Sequence, residues 1–374
     1  MPHCRLLVLT FCALAFSNAC TPKTAEAPSE RPPQDAFEVI AYYHGNGDGI
    51  ERFAVEDLTQ VIYGFALLEG NLLDVGPHDD VLRKLVKLKQ RKPSLKVLIA
   101  FGGWGGCETC SEVFSDAGNR REFAESVLHA LRDYGLDGID LDWEFPAVPG
   151  FPGHAYKAED RENFSALVEV LRRVLGPDYE ISFAAGASPD FAERSVDWGK
   201  VMPLVDRVNL MSYDFIAGGS DRTGHHAALY TGPENALSAD DAVQRLVDLG
   251  VPPAKIVVGA AFYARVWRDV RVESGSALGQ PGTFHESVAY RDFAEYFGEG
   301  CETYWDERAA APYRYCGSEG LFATYDDRRS VAAKTRYALE RSLGGIMFWQ
   351  LAQDNERDGL LSAIDEAVRQ AAAE

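Results

Sequence analysis

Short apolar segments alternate with amphipathic segments along most of this chain. The apolar segments are rich in Val, Ile and Phe and alternate little with polar residues, which is typical of strands covered on both faces. We predict strands at residues 39–43, 60–66, 96–101, 138–143, 180–185, 207–213, 255–262 and 345–351. Helical spacing of apolar residues predicts helices at 81–90, 120–134, 161–175, 240–249 and 331–342. Strand–helix units repeated in this way within one domain predict an α/β fold, a (β/α)8 TIM barrel.

The region at about residues 267–322 interrupts this alternation and is rich in aromatic residues. They are Phe284, Tyr290, Tyr296, Tyr304, Trp305, Tyr313 and Tyr315. For most of them we favour a place in the core of a small subdomain over a place on a ligand-binding surface, because aromatic side chains are more often buried than functional.

The N-terminal residues predict export. Arg5 precedes an apolar segment at residues 6–16 that is too short to span a bilayer, so residues 1–19 are predicted to be a signal peptide. The segment ending in Ala19-Cys20 resembles a bacterial lipoprotein cleavage site, which would make Cys20 the lipidated first residue. Ser17 stands where Leu or Val is usual, so ordinary cleavage and release is the alternative. Residues 20–36 are polar and Pro-rich, which predicts a disordered tether before a domain at 37–374.

These features bound the location and the partners. We expect a lipid-anchored protein of the cell envelope, at the outer membrane or cell surface, with membrane contact only through that anchor. The net charge of −20 argues against nucleic acid and anionic lipid as partners. A neutral polysaccharide is compatible with this charge. We also expect the protein to be a monomer.

The predicted domain contains the cysteines Cys107, Cys110, Cys301 and Cys316. Exported chains meet an oxidising compartment, which favours disulfides. Of the three pairings that four cysteines allow, we favour the two local ones, Cys107 with Cys110 and Cys301 with Cys316. A zinc site made of four thiolates is the alternative.

An acidic segment at residues 137–144 places four carboxylates in a run that is otherwise typical of a strand. Side chains alternate faces along a strand, so Asp140, Asp142 and Glu144 share one face, with neighbours roughly 7 Å apart. Such clustering raises carboxyl pKa values and allows one group to act as an acid near neutral pH. A calcium loop or a solvated turn is the alternative, but the intervening Ile, Leu and Trp are poor spacers for a calcium loop. Asp137 has the opposite parity, so we favour a structural hydrogen bond for it.

The acidic pattern D-x-x-D-x-D-x-E resembles the signature of family 18 glycoside hydrolases, the chitinases and their relatives. Segments at residues 100–104, 211–214, 223–225, 262–265 and 344–349 resemble further motifs of that family, in the same order. The resemblance covers about residues 39–354. It implies the same barrel, with a small α+β insertion at about 267–322 between strand 7 and its helix, forming one wall of the substrate cleft. It also implies chitin or chito-oligosaccharides as substrates and a mechanism without metal or organic cofactor.

The resemblance implies catalytic roles for four residues. Glu144 would protonate the leaving oxygen and then activate water. Asp142 would hydrogen-bond the N–H of the substrate's acetamido group, which attacks C1 in place of a protein nucleophile. Asp140 would share a proton with Asp142, and Tyr213 would donate a hydrogen bond to the acetamido oxygen.

The resemblance also implies a substrate-binding set. Its members are Trp104, Met211, Asp214, Tyr263, Arg265, Trp349, Tyr42 and Phe65. Trp349 would form the floor beneath the distorted sugar, and Trp104 would stack on the sugar across the scissile bond. For Tyr42 and Phe65, simple core packing is an equal alternative.

Two glycines and two histidines have simpler interpretations. Gly102 and Gly103 lack the spacing of a phosphate-binding loop, so we expect close backbone packing beneath the site. Adjacent His225 and His226 do not converge easily on one metal ion, so we expect them to be part of the loop structure.

The sequence therefore predicts a chitinase that hydrolyses β-1,4 bonds between N-acetylglucosamine units with retention at C1. One alternative is an endo-β-N-acetylglucosaminidase acting on N-glycan or peptidoglycan. Another is a non-catalytic chitin-binding lectin, against which the intact Glu144, Asp142 and Tyr213 argue.

Overall fold

The computed structural model describes residue 1 and residues 37–233, 236–298 and 300–373. The predicted signal peptide, Cys20 and the tether lie outside the described residues, apart from residue 1. Among the helices of the described part, none has the length and apolar character needed to cross a membrane.

Strands and helices alternate along the described chain. The strands are β1 (Glu38–Tyr43), β2 (Gln60–Glu69), β3 (Leu72–Asp74), β4 (Lys96–Gly102), β5 (Gly138–Asp142), β6 (Glu180–Gly186), β7 (Arg207–Met211), β8 (Ile256–Ala261), β9 (Tyr263–Arg268), β10 (Thr283–Ala289), β11 (Glu302–Asp306), β12 (Ala311–Cys316), β13 (Leu321–Thr324) and β14 (Gly345–Trp349). The α-helices are α1 (Asp79–Lys87), α2 (Cys110–Val113), α3 (Ala117–Tyr134), α4 (Asp160–Leu175), α5 (Pro189–Arg194), α6 (Trp198–Val201), α7 (Ala239–Asp248), α8 (Phe293–Tyr296), α9 (Arg328–Glu340) and α10 (Leu360–Ala371).

The parallel strands close into a barrel. They follow the order β1-β14-β8-β7-β6-β5-β4-β2, and β2 pairs back with β1, which leaves no open edge. Their outward residues pack against the surrounding helices in the main hydrophobic core. The predicted (β/α)8 TIM barrel is therefore confirmed, and β3 adds only a short antiparallel extension to β2.

Four predicted strands end earlier than their apolar pattern suggested: β8 ends at Ala261 rather than at residue 262, β14 ends at Trp349 rather than at residue 351, and the other two are β5 and β7. β5 ends at Asp142 rather than at residue 143, and β7 ends at Met211 rather than at residue 213. After Met211 the chain turns, because the amide of Ser212 donates to the carbonyl of Leu210 at 2.8 Å and Asp214 adopts a φ of 59°. Glu144, Tyr213 and Asp214 consequently lie beyond the strand ends, at the barrel mouth where active sites of this fold are found.

Buried charges close the opposite end of the barrel. The Glu180 carboxylate accepts a hydrogen bond from Gln60 Nε2 at 2.7 Å and lies 2.7 Å from Lys96 Nζ and 3.1 Å from Arg207 Nε. Arg207 also contacts Glu38 at 2.8 Å. Because each of these charges has an opposite partner, this end of the barrel is a layer of paired charges.

A second, antiparallel sheet lies between β8 and α9 in the chain. Its strand order is β10-β9-β13-β12-β11, and its core includes the buried Trp267 and Phe322. Tyr304 on the edge strand β11 is exposed. The disulfide Cys301–Cys316 lies in this sheet and Cys107–Cys110 follows β4, so both predicted pairings are confirmed.

Candidate active site

The acidic segment points into the barrel as its strand parity predicts. Asp140 and Asp142 on β5 are buried, and Glu144 follows two residues beyond Asp142, close enough for its charge to raise the pKa of Asp142. Asp137 lies at the other end of the strand, where it accepts a hydrogen bond from the Val97 amide at 2.7 Å. This contact agrees with a structural role for Asp137.

Asp140 is fully enclosed by hydrogen-bond donors. Tyr42 Oη donates to Oδ2 at 2.7 Å, while Ser182 Oγ and Asn209 Nδ2 donate to Oδ1 at 2.6 and 3.0 Å. Burial raises the pKa of Asp140 to about 6, although these three hydrogen bonds act in the opposite direction. Asp140 can therefore change its protonation state within the range in which an enzyme works.

Sequence reasoning missed Ser182 and Asn209. Both are polar residues in otherwise apolar strands, and the register places Ser182 directly beside Asp140. A buried polar side chain in such a strand requires a partner, and the barrel topology supplies it. The detectable signal was the polar residue at an inward position, once the strands are aligned.

Asp142 is held differently from Asp140. Its Oδ1 atom is buried and has no hydrogen-bond partner among the described residues. Burial raises the pKa of Asp142 well above its usual range, and the charges of Glu144 and Asp140 add to this effect. A buried carboxyl oxygen left without a donor is suited to receive one from a ligand.

Gly102, the last residue of β4, and Gly103, which follows it, fix the backbone of Asp142. The amide of Gly103 donates to the Asp142 carbonyl at 2.9 Å. A Cβ on Gly102 would lie 2.3 Å from the same oxygen, and its φ of +107° also disfavours other residues. The close backbone packing expected at these positions is what the structure shows.

Glu144 has the properties of a general acid. Burial, together with the negative charge of Asp214, raises the pKa of Glu144 to about 8. Asp214 itself stays ionised: burial alone would raise its pKa, but hydrogen bonds from His226 and Arg265 lower it well below the usual range. Arg265 grips Asp214 with two hydrogen bonds of 2.8 and 2.6 Å. At neutral pH, Glu144 is therefore protonated beside a fixed carboxylate.

Aromatic side chains form the floor and walls of the pocket. Trp349, at the end of β14, stacks on Phe65 with ring centroids 5.5 Å apart and lies 6.0 Å from Tyr42. The Tyr213 and Tyr263 rings meet edge to face at 6.2 Å. Met211 is in the same interior cluster as Tyr42, Tyr213 and Trp349.

Trp104 is the predicted residue that lies away from this cluster. It is 59% exposed and its ring packs edge-on against Phe151 at 5.5 Å. The structure thus brings the catalytic set and most of the substrate-binding set together at the barrel mouth, while Trp104 stands on the rim. The roles of all these residues stay predictions.

The two histidines contact different aspartates. His225 Nε2 lies 3.2 Å from Asp306 on β11, and His226 Nδ1 lies 3.4 Å from Asp214. His225 therefore connects its loop to β11, and His226 connects the same loop to Asp214, in agreement with a role in the loop structure. Within the described residues, no group of three or more His, Cys, Asp or Glu side chains is arranged to hold a metal ion.

Comparison with known proteins adds independent evidence. Residues 38–354 match the family model of glycosyl hydrolases family 18. The chain is 35% identical over 302 residues to chitinase A1 of Niallia circulans, which covers 74% of this chain and 43% of that protein. This chain thus spans less than half the length of that relative.

Solved structures share the fold. Chitinase ChiA74 from Bacillus thuringiensis superposes with a TM-score of 0.83 at 26% identity, covering 90% of this chain and 70% of that one. A family 18 N-acetylglucosaminidase from Paenibacillus barengoltzii gives a TM-score of 0.81 at 32% identity, covering 89% of this chain and all of that one. With the match to the family model, these likenesses show that the chain belongs to glycosyl hydrolases family 18 and shares its (β/α)8 barrel.

Proposed function

We propose that this chain is a chitinase that hydrolyses β-1,4 bonds between N-acetylglucosamine units by substrate-assisted catalysis with retention at C1. The observation that carries the proposal is the row of inward carboxyls Asp140, Asp142 and Glu144, in which the pKa of Glu144 is raised to about 8. The relative and one of the solved structures described above are named chitinases, which supports the choice of substrate.

The first step needs a proton donor and a nucleophile. Glu144, protonated at neutral pH, gives its proton to the glycosidic oxygen as the bond to C1 breaks. The acetamido oxygen of the substrate attacks C1 from the opposite face. Asp142 accepts the acetamido N–H through its unpartnered oxygen, and this bond orients the group and stabilises the positive charge of the oxazolinium ion.

The second step reverses these roles. Glu144, now a carboxylate, removes a proton from water, and the water opens the oxazolinium ion at C1 with overall retention. Asp140 and Asp142 share a proton between the steps, for which the pKa of about 6 at Asp140 is well placed.

Tyr213 and Trp349 act on the reacting sugar itself. Burial and the charge of Asp142 raise the pKa of Tyr213 well above its usual range, so its hydroxyl stays protonated and donates to the acetamido oxygen. Trp349 offers an apolar face to the C–H groups of the ring. The Asp214–Arg265 pair supplies a fixed acceptor and donor for substituents of the neighbouring sugar.

A second candidate is an N-acetylglucosaminidase. The observation that favours it is the likeness to the Paenibacillus barengoltzii enzyme, which is covered over its full length by this chain. An endo-acting enzyme on N-glycan or peptidoglycan would use the same chemistry on another chain. A lectin has no use for two buried carboxyls beside a half-buried third, because their burial is costly.

The test is hydrolysis of chitohexaose followed by mass spectrometry. We expect the wild type to release chito-oligosaccharides and Glu144→Gln to be at least about a hundredfold slower, as general acid catalysis contributes that much. Glu125→Gln, an exposed substitution on α3, is the matched control and should behave as the wild type. Release of monomer alone would favour the N-acetylglucosaminidase. Binding without cleavage would favour the lectin, or would make N-glycans the next substrate. Cleavage of cellohexaose would refute the acetamido mechanism.

We further propose that the protein is exported, anchored through a lipid on Cys20, and monomeric. The support for the anchor is the sequence around Cys20 alone. Palmitate labelling of cells should tag the wild type but not Cys20→Ala, and an untagged wild type would mean simple secretion. Sedimentation of the domain at residues 37–374 should give the mass of one chain, and a larger mass would contradict the monomer.

A further inference from the structure

A fully buried ion pair lies outside the predicted site. It joins Lys334 of α9 to Asp326, which precedes that helix, and Lys334 Nζ lies 2.5 Å from Asp326 Oδ2. Removing two charges from water is costly, and a well-packed apolar pair of similar volume often stabilises a fold as well or better. Stability alone therefore does not distinguish this pair from an apolar one, whereas its other hydrogen bonds do.

The Asp326 carboxylate connects a barrel strand to a helix. Its Oδ2 atom accepts a hydrogen bond from the amide of Ala261, the last residue of β8, at 3.0 Å. Its Oδ1 atom accepts one from Ser330 Oγ, in the first turn of α9, at 2.6 Å. Ala261 is fully buried, so its amide needs an acceptor within the protein, and an apolar side chain could not supply one. The buried pair thus fixes the end of β8.

This contact lies at the root of the second sheet, the point where the chain leaves the barrel and returns to it. The chain leaves after Ala261 and enters β9 at Tyr263, and it returns from β13 at Thr324, two residues before Asp326. Here β9 and β13 pair with each other, with Arg265 opposite Thr324. Asp326 belongs to the returning segment and binds the outgoing one, so it fixes both relative to the barrel.

A short and tightly held segment connects this root to the site. The amide of Phe262 donates to the carbonyl of Trp349 at 2.8 Å, and its ring stacks on Phe348 with centroids 4.0 Å apart. Three residues further on, Arg265 makes its two hydrogen bonds to Asp214. Asp214 belongs to the loop after β7, so a displaced root would move Arg265 relative to its partner.

The returning strand is connected to the same carboxylate. Thr324 Oγ1 accepts the amide of His226 at 3.1 Å, and Nδ1 of His226 lies 3.4 Å from Asp214. Arg265 and His226, which both contact Asp214, are therefore both attached to the strand pair whose root Asp326 holds.

We infer that the buried pair of Asp326 and Lys334 positions the active site, because it holds the root of the second sheet and so keeps Arg265 in place against Asp214. Asp326 acts through Arg265 and is a positioning residue. This inference rests on the proposed function, in which the Asp214–Arg265 pair binds substituents of the neighbouring sugar.

Two double variants separate the contact with β8 from the charges. Asp326→Leu/Lys334→Met removes both charges and the acceptor for Ala261. Asp326→Asn/Lys334→Met also removes both charges but keeps an amide oxygen as a weaker acceptor. We expect the Leu/Met variant to lower kcat/KM for chitohexaose about tenfold, because displaced binding groups are costly, and the Asn/Met variant to lower it about two- to threefold. Thr335→Val is the control, because Thr335 is buried on α9 and bonds only within its helix, and it should match the wild type.

Coupling to Arg265 distinguishes positioning from a general loss of structure. In an Arg265→Ala background the Leu/Met variant should cause no further loss of kcat/KM, since it acts through that side chain. Equal losses in both backgrounds would overturn the inference, and so would wild-type kcat/KM in the Leu/Met variant. If urea unfolding shows that the Leu/Met variant does not fold, the Asn/Met variant replaces it in the same cycle. No loss, or an equal loss in both backgrounds, would then overturn the inference.

Hydrogen exchange gives a result that does not depend on catalysis. Peptides of β9 and β13 should exchange faster in the folded double variant than in the wild type, while peptides of β4 and β5 should be unchanged. If the wild type does not cleave chitohexaose, the proposed function fails and exchange alone decides. Faster exchange at β9 and β13 then supports positioning by the buried pair, and unchanged exchange overturns it.

Discussion

Replacing Glu144 by Gln should make the folded protein more stable at alkaline pH. Burial and the charge of Asp214 raise the pKa of Glu144 from 4.5 to about 8, so the folded chain keeps a proton that the unfolded chain releases. The stability that this proton contributes is fully present below 4.5 and is lost as the pH rises through about 8. Gln resembles the protonated acid in shape and does not titrate, so the variant escapes this loss.

The size of the effect follows from the pKa. Each pKa unit is worth about 1.4 kcal/mol, so ionising Glu144 in the folded state costs about 4 to 5 kcal/mol of unfolding free energy. The charge of Glu144 is also the second cause, after burial, of the raised pKa of Asp142. Removing it relieves Asp142 in the same direction. The variant should therefore gain at least about 3 kcal/mol over the wild type between about pH 5 and about pH 9.

Urea unfolding at these two pH values, with the disulfides kept oxidised, measures the difference. Fluorescence and far-UV circular dichroism should give coincident transitions, and the slopes should match between the proteins, before free energies are compared. Glu125→Gln, exposed on α3, should show no pH-dependent gain. An advantage of Glu144→Gln that is equal at both pH values, or that reverses at the higher one, would refute a buried, protonated Glu144.

Three kinetic predictions concern the carboxyls of Glu144, Asp140 and Asp214. The kcat/KM for chitohexaose should fall above about pH 8 as Glu144 loses its proton; a profile still flat at about pH 9.5 would contradict this. Ser182→Ala removes a hydrogen bond that favours the charged form of Asp140, so the pKa of Asp140 should rise above about 6 and the acid limb of the pH profile should move to higher pH. An acid limb at the same pH as in the wild type would show that the pKa of Asp140 does not determine it. Arg265→Lys keeps the positive charge but loses the bidentate hydrogen bonding to Asp214. The kcat/KM should therefore fall about tenfold or more in steady-state assays. Wild-type kinetics would show that the bidentate contact is not needed for activity.

The barrel was readable from the sequence because strands buried on both faces carry a continuous apolar signal. The strand ends were less readable. The apolar run at 207–213 continues through Tyr213, whereas the ladder stops at Met211 because Ser212 folds back on Leu210. In the hydrophobic pattern of the sequence, an apolar side chain that lines a pocket cannot be distinguished from one that lies in a core.

The sequence predicts the site residues that follow from the alternation of side chains along one strand. It does not predict contacts between residues of different strands. Strand alternation placed Asp140 and Asp142 on one face without any knowledge of their neighbours. Ser182 and Asn209 contribute two of the three donors to Asp140, yet they are 42 and 69 residues away in the chain. Their contribution depends on the register between strands, which no local pattern contains. The bracing of Trp104 by Phe151 is hidden for the same reason, because the two rings come from different loops.

Two buried carboxyls on neighbouring strands show how one barrel separates stability from chemistry. Glu180, at the closed end of β6, contacts Gln60, Lys96 and Arg207. Loss of either cation would leave the buried carboxylate with an uncompensated charge. Asp142 at the open end of β5 has an oxygen with no donor among the described residues, and its neighbours Asp140 and Glu144 have the same charge sign. Burial is nearly the same for both, so burial alone does not mark a functional group. The charges of the neighbours distinguish the two groups, because Glu180 lies against cations, whereas Asp142 lies beside carboxyls and keeps an oxygen available for a donor from a ligand.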